Sequence, residues 1–268
     1  MKKKIVWIVP VLLLVLTIVL SLFFGRGGKE TYDVIFFGDS KIGNDRTESS
    51  VSNRLEQATG LKVFNAGVGG TTLANGGNNL FNVYTMSSLA RSVYMNDFGA
   101  QKATLPKTYL EKNAILDYIP ETVEGLSNID FNKCKVFIIA HGSNDFFSKV
   151  PIDNPEDPED EATLIGALRV SVKYLKKANP KAQIIVVSPC LTYTEDGFGD
   201  VLDYGFGTEK DYAEAEKAAC AELGIDFVDF YNDSGITRDN VWDYLFDGLH
   251  PGEAGNKVML ELIMEKLK

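Results

Sequence analysis

Five short runs of β-branched and aromatic residues are spaced along this chain, with helix-patterned segments between them. They are Tyr32–Phe37 (YDVIFF), Lys62–Asn65 (KVFN), Lys135–Ala140 (KVFIIA), Gln183–Ser188 (QIIVVS) and Ile225–Phe230 (IDFVDF). The runs are nearly continuous in apolar character rather than alternating, as in strands of a parallel sheet covered on both faces. Leu164, Leu168, Val172 and Leu175 recur every three or four residues, and Asn179-Pro180 stops that helix. Asp211 to Leu223 reads as a second helix closed by Gly224, and Val258, Leu260, Leu262 and Ile263 mark a terminal one. Strands separated by helices imply right-handed crossovers. The expected fold is therefore α/β: three α/β/α layers around a five-stranded parallel, flavodoxin-like sheet. Thr71 to Asp130 reads as a long insertion, Asn- and Tyr-rich at first and then helix-like, and the proline- and acid-rich stretch Phe147 to Glu161 as a surface loop.

A separate constraint acts at the N-terminus. Ile5 to Phe24 (IVWIVPVLLLVLTIVLSLFF) carries no charge over twenty residues. As a helix this run is roughly 30 Å long, enough to cross a bilayer's hydrocarbon core. Lys2, Lys3 and Lys4 precede it, which places the N-terminus in the cytoplasm and the remainder outside. A cleaved signal peptide is the rival reading, but the run is long for one and Ser21 to Gly25 has no small-x-small cleavage site. The expected organisation is residues 1–24 as cytoplasmic lysines and a single-pass transmembrane signal anchor, 25–31 as linker, and 32–268 as an extracytoplasmic domain.

Charge narrows the partners. The chain has 27 basic and 37 acidic residues, a net charge of -10. Without the three leading lysines the balance is 24 against 37. A nucleic-acid partner is excluded because phosphate binding needs a basic face. Anionic lipid surfaces should also repel the exported part. Cys134, Cys190 and Cys220 lack C-x-x-C or metal spacing; export would permit one disulfide, but we expect small buried side chains and no structural metal from them, and no cofactor is expected for the chain.

Three polar segments directly follow expected strands: Gly38-Asp39-Ser40, Asn65-Ala66-Gly67-Val68-Gly69-Gly70 and Gly142-Ser143-Asn144-Asp145. Loops at the strands' carboxyl ends build the ligand site of an open α/β sheet. A fourth segment, Asp247-Gly248-Leu249-His250-Pro251, lies near the C-terminus. A serine needs a base to become nucleophilic, and the chain has only two histidines, His141 and His250. His250 has a carboxylate three residues before it, so one loop can hold the imidazole against Asp247. Ser40 as a helix cap and Asp247 to Pro251 as a plain turn are the local alternatives. Asp39 and Asp145 are expected to brace loops through backbone amides, and His141 to be packed or to stand in a pocket wall, with substrate contact as the alternative. Phe146, Phe147, Tyr193, Phe198, Tyr204 and Phe206 follow strands and are candidates to line a cleft.

Together the segments GDS, NAGVGG, GSND and DGLH resemble the four sequence blocks of the SGNH (GDSL-type) hydrolases, in order and over about residues 32–265. The resemblance implies a nucleophile at Ser40, a base at His250 and an acid at Asp247. It also implies oxyanion donors at the Ser40 amide, the Gly70 amide (or that of Gly69) and the Asn144 side chain. Lys41 stands where the family name has Leu, which puts a cation near the site. The implied activity is esterase action on small acyl esters, with O-acetyl groups on glycans as first choice. A lipid-directed lysophospholipase or thioesterase, an O-acyltransferase, and a non-catalytic binding module are the alternatives. The complete Ser40, His250 and Asp247 set argues against the last.

Overall fold

The computed structural model describes residues 28–76, 81–110 and 116–268. The expected anchor, residues 1–24, and the start of the linker lie outside the described residues. Among the described residues no helix is long and apolar enough to cross a membrane. Thr31–Lys268 form one compact unit.

Five parallel strands form the central sheet: β1 (Val34–Gly38), β2 (Val63–Asn65), β3 (Val136–Ala140), β4 (Gln183–Val187) and, after a small hairpin, β7 (Asp226–Val228). The hairpin pairs β5 (Tyr193–Thr194) with β6 (Gly197–Phe198). The sheet order is β2-β1-β3-β4-β7, which is the expected five-stranded parallel arrangement. β1 sits between β2 and β3, with Val34 level with both Val63 and Val136. Direction of winding reverses at β1 and β3, the position where such sheets bind ligands.

In chain order the described helices are α1 (Ser40–Gly43), α2 (Val51–Thr59), α3 (Met86–Met95), α4 (Gly99–Leu110), α5 (Ile119–Asn128), α6 (Ser143–Phe147), α7 (Leu164–Ala178), α8 (Glu209–Leu223), α9 (Phe230–Asp233), α10 (Val241–Tyr244) and α11 (Glu253–Met264). Strand side chains alternate between two cores. Ile35, Phe37, Phe137 and Ile139 meet Leu89 and Val93 of α3, Leu168 and Val172 of α7, and Ala219 of α8. Val34, Phe36, Val136 and Ile138 meet Leu55 of α2 and Met259 and Ile263 of α11. Each such side chain, fully buried, contributes about 1.5–3 kcal/mol of transfer free energy. This double coverage explains why the strands read as continuous apolar runs.

Two elements compare informatively with the sequence reading. The stretch Thr71 to Asp130 is helical after its Asn- and Tyr-rich start, as expected, and its α3 packs along α7 in the helix layer through Met86, Leu89, Ala90 and Val93. The last apolar run ends earlier than expected, since Phe230 turns into α9 after the short strand β7.

Candidate active site

Gly38 ends β1 and makes a sharp turn into α1. An added Cβ there would stand 2.4 Å from the Ile42 side chain and 3.0 Å from the Ala140 carbonyl, so only glycine fits. The turn lifts Ser40 onto the carboxyl edge of the sheet. Asp39 braces it as expected, accepting a hydrogen bond from the Lys41 amide at 2.9 Å. Asp145 braces the second loop, accepting from the Leu73 and Ala74 amides at 2.8 and 2.9 Å.

Ser40, His250 and Asp247 stand in series. His250 Nε2 lies 2.9 Å from Ser40 Oγ, and His250 Nδ1 lies 2.7 Å from Asp247 Oδ2. The other oxygen of Asp247 accepts from the amides of Leu249 and His250 at 2.9 and 2.7 Å. Burial pushes the Asp247 carboxyl up, but the His250 and Leu249 hydrogen bonds outweigh it and hold it below its ordinary value. It therefore stays ionised at neutral pH. The Tyr193 amide of β5 donates to the Gly248 carbonyl at 2.7 Å and pins this turn.

The oxyanion candidates sit on the loops after β1, β2 and β3. Among the described residues the amides of Ser40 and Gly70 make no hydrogen bond. Gly70 has φ +77°, a conformation in which L side chains are strained. Asn144 gives one side-chain N–H to the Thr71 carbonyl at 2.8 Å and keeps the other. The alternative, Gly69, spends its amide on Tyr118 Oη at 2.9 Å, which leaves Gly70 as the available donor.

Arg46, Tyr118 and Glu209 carried no sequence signal, whereas Lys41 was expected near the site. Arg46 donates to the carbonyls of Gly43, Asn65 and Gly67 at 2.7–2.8 Å, joining the nucleophile segment to the second loop. Its guanidinium lies over the Tyr118 ring, 4.3 Å from the centroid. Beneath Ser40, the Lys41 ammonium donates to Ser143 Oγ at 2.5 Å, and Ser143 Oγ lies 3.2 Å from Glu209 Oε1. Burial pulls the Lys41 ammonium down, but Cys190, Glu209 and Asp39 outweigh it, so Lys41 is a fixed cation. Glu209 also accepts from the Thr192 amide and hydroxyl at 3.0 and 2.7 Å.

Other expectations divide. His141 is packed, 3% exposed, with Nε2 3.3 Å from Thr71 Oγ1, and burial pushes its imidazole down to about 3. Cys134, Cys190 and Cys220 are buried free thiols. The six aromatic candidates do not line the cleft that holds Ser40. Phe146 is core, packed on Phe147, Tyr204 and Tyr212, while Tyr193 packs on Phe198 and Trp242. The aromatic in the cleft is Phe246, whose ring stacks on His250 with centroids 5.9 Å apart. The cleft holds about 490 Å³. A larger cavity of about 650 Å³ opens at the opposite edge of the sheet and contains no nucleophile–base pair.

A parallel α/β sheet carrying serine, imidazole and carboxylate in series on its carboxyl edge defines the serine hydrolase class. The chain matches the GDSL-like lipase/acylhydrolase family over residues 34–258, and it belongs to that family of ester-hydrolysing serine hydrolases. Solved structures share its fold. A protein from Lactobacillus plantarum is 19% identical, with TM-score 0.61 over 88% of this chain and 96% of that one. A member of the lipolytic protein G-D-S-L family from Veillonella parvula is 14% identical, with TM-score 0.52 over 89% and 98%. Among curated proteins none matched.

Proposed function

We propose that this chain is a membrane-anchored, extracytoplasmic esterase that removes small acyl groups, O-acetyl above all, from glycans. The observation that carries the chemistry is the Ser40–His250–Asp247 series, at 2.9 and 2.7 Å. Ser40 Oγ attacks the ester carbonyl and passes its proton to His250 Nε2. Asp247 fixes the tautomer and stabilises the imidazolium. The oxyanion is met by the Ser40 and Gly70 amides and the free N–H of Asn144. As the tetrahedral intermediate collapses, the alcohol leaves with the proton from His250, and Ser40 carries the acyl group. Water then attacks, deprotonated by the same imidazole, and releases the acid.

The uncharged run Ile5 to Phe24 after three lysines supports the anchor and the outward orientation. The acidic balance of the remainder supports a neutral substrate over an anionic lipid surface. A fluorophosphonate probe is expected to label Ser40 in the full-length protein and to spare Ser40→Ala. Absence of labelling in folded protein would overturn the hydrolase chemistry. Esters from acetyl to decanoyl test the substrate, since a preference for long chains removes the glycan reading. Protease accessibility of the C-terminal domain in intact cells tests the orientation.

A further inference from the structure

Lys41 follows the nucleophile by one residue, and Ser143 precedes the oxyanion donor Asn144 by one. The β1–β3 ladder ends below both, where the Asp39 amide donates to the Ala140 carbonyl at 3.2 Å. Beyond that point, among the described residues, the hydrogen bond joining the two segments runs from Lys41 Nζ to Ser143 Oγ, at 2.5 Å. Each end of it lies one peptide away from an oxyanion donor, the Ser40 amide or the Asn144 side chain. An oxyanion hole works only while its donors stay within about 0.5 Å of their productive places.

Glu209, which opens α8, extends this tie to the base. It is fully buried. Its Oε1 accepts from Ser143 Oγ at 3.2 Å, and its Oε2 accepts from the amide and hydroxyl of Thr192 at 3.0 and 2.7 Å. The next residue, Tyr193, gives its amide to the Gly248 carbonyl inside the Asp247–His250 turn, at 2.7 Å. The hairpin closes around the carboxylate. The Glu209 amide donates to the Gly199 carbonyl and the Gly199 amide to the Thr192 carbonyl, both at 2.9 Å, and the Glu209 side chain leaves no room for a side chain at Gly199. One carboxylate thus reaches the segments that carry nucleophile, oxyanion donor and base.

A charged group at this depth is costly. Lys41 stands where the family name has Leu, an apolar side chain that would need no partner there. An ammonium must instead be desolvated, and compensation by a buried carboxylate at best offsets that cost. Stability alone therefore does not account for the arrangement, whereas directional bonds fix a register that apolar packing leaves loose. We infer that Lys41, Ser143 and Glu209 form one positioning unit for acyl transfer, which keeps Ser40, Asn144 and the His250 turn in register. They act through their neighbours and not on the reacting atoms. The inference rests on the esterase reading above and adds what holds its parts together.

Two measurements on the full-length protein test the unit. In the first, rates on p-nitrophenyl acetate are divided by the Ser40 concentration titrated with a fluorophosphonate, so that loss of folded protein does not register. Ser143→Ala removes one oxygen, and its kcat per titrated site should fall about tenfold with KM changed by less than about twofold. Lys41→Met should fall alike, and Lys41→Met with Ser143→Ala no further, since both break the same bond. Lys41→Met with Glu209→Gln regains stability but should stay as slow as Lys41→Met. Wild-type kcat per site in Ser143→Ala, or kcat that returns together with stability in Lys41→Met with Glu209→Gln, would reduce the three residues to a stabilising cluster and overturn the unit. So would losses that multiply in Lys41→Met with Ser143→Ala. The second measurement, hydrogen exchange read by mass spectrometry, needs no turnover. Ser143→Ala should speed exchange in the segments holding Ser40 and Asn144 and leave β4 unchanged, and Glu209→Leu should extend the effect to the Gly248 turn. Unchanged exchange around Ser40 and Asn144 in Ser143→Ala would overturn the unit. Wild-type protein that neither hydrolyses the ester nor takes the label would count against the esterase reading, and exchange would still decide the unit.

Discussion

The amide of Gly69 donates to the phenol oxygen of Tyr118 at 2.9 Å. Of two adjacent glycines that bond engages the first and leaves the amide of Gly70 without a hydrogen bond among the described residues. Tyr118 also donates to Asn44 and lies under Arg46, so it ties the oxyanion loop to the nucleophile segment. Tyr118→Phe keeps the ring but removes the acceptor. Since deleting an oxyanion donor outright costs about 10²–10³ in kcat, loosening its loop should lower kcat about tenfold with KM little changed. Steady-state kinetics with an acetyl ester check this, and an unaltered kcat would show that the loop is held by other means.

Asp247 accepts the His250 ring on one oxygen and two amides on the other. Asp247→Asn should keep the amide contacts but present an N–H to Nδ1, which favours the wrong tautomer. We expect kcat to fall by roughly 10³–10⁴ and fluorophosphonate labelling of Ser40 to slow in parallel. Labelling at the wild-type rate would mean that the carboxylate does not orient the base.

Lys41 and Glu209 share Ser143 beneath the nucleophile, and Glu209 is fully buried. Lys41→Met removes the cation and leaves that carboxyl without its compensating charge, which should lower unfolding free energy by roughly 3 kcal/mol. Lys41→Met combined with Glu209→Gln should recover more than half of the loss, as read from urea denaturation. Equal stability of the single and double variants would show that the two groups are not coupled.

Glu216 is fully buried, and neither carboxyl oxygen has a hydrogen-bond partner among the described residues. Burial pushes its carboxyl well above the ordinary value, and Asp145 and Asp39 add to the rise. The folded protein therefore keeps a proton that the unfolded chain releases above about pH 4.3. Its contribution to stability is complete below that pH and is lost as pH rises toward the folded carboxyl's own ionisation, by up to about 1.4 kcal/mol per pH unit. Glu216→Gln is neutral at every pH and should flatten that decline. Urea midpoints between pH 5 and 8 measure it, and parallel slopes for the two proteins would show that Glu216 does not bind the proton.

Much of the fold was legible in the sequence because parallel strands buried on both faces must be apolar at every position. Val34 to Phe37 and Val136 to Ile139 announce themselves in that way. That Ser40, His250 and Asp247 come together was legible too, since each lies in a short segment tied to a strand end or to a single loop. The helical character of the stretch that holds α3 was legible as well, but its packing against α7, some eighty residues later, was not.

The sequence by itself determined the α/β alternation and which polar groups reach the carboxyl edge of the sheet, because these follow from local periodicity and turn chemistry. Only the tertiary structure decided which glycine amide remains free, which polar groups the Lys41 cation meets, and which aromatic faces the cleft. Gly69 loses its amide to Tyr118, forty-nine residues away. Lys41 meets Ser143, one hundred and two residues away, and Phe246 is left bare beside His250. Such outcomes depend on contacts between distant segments, and no local pattern of residues encodes them.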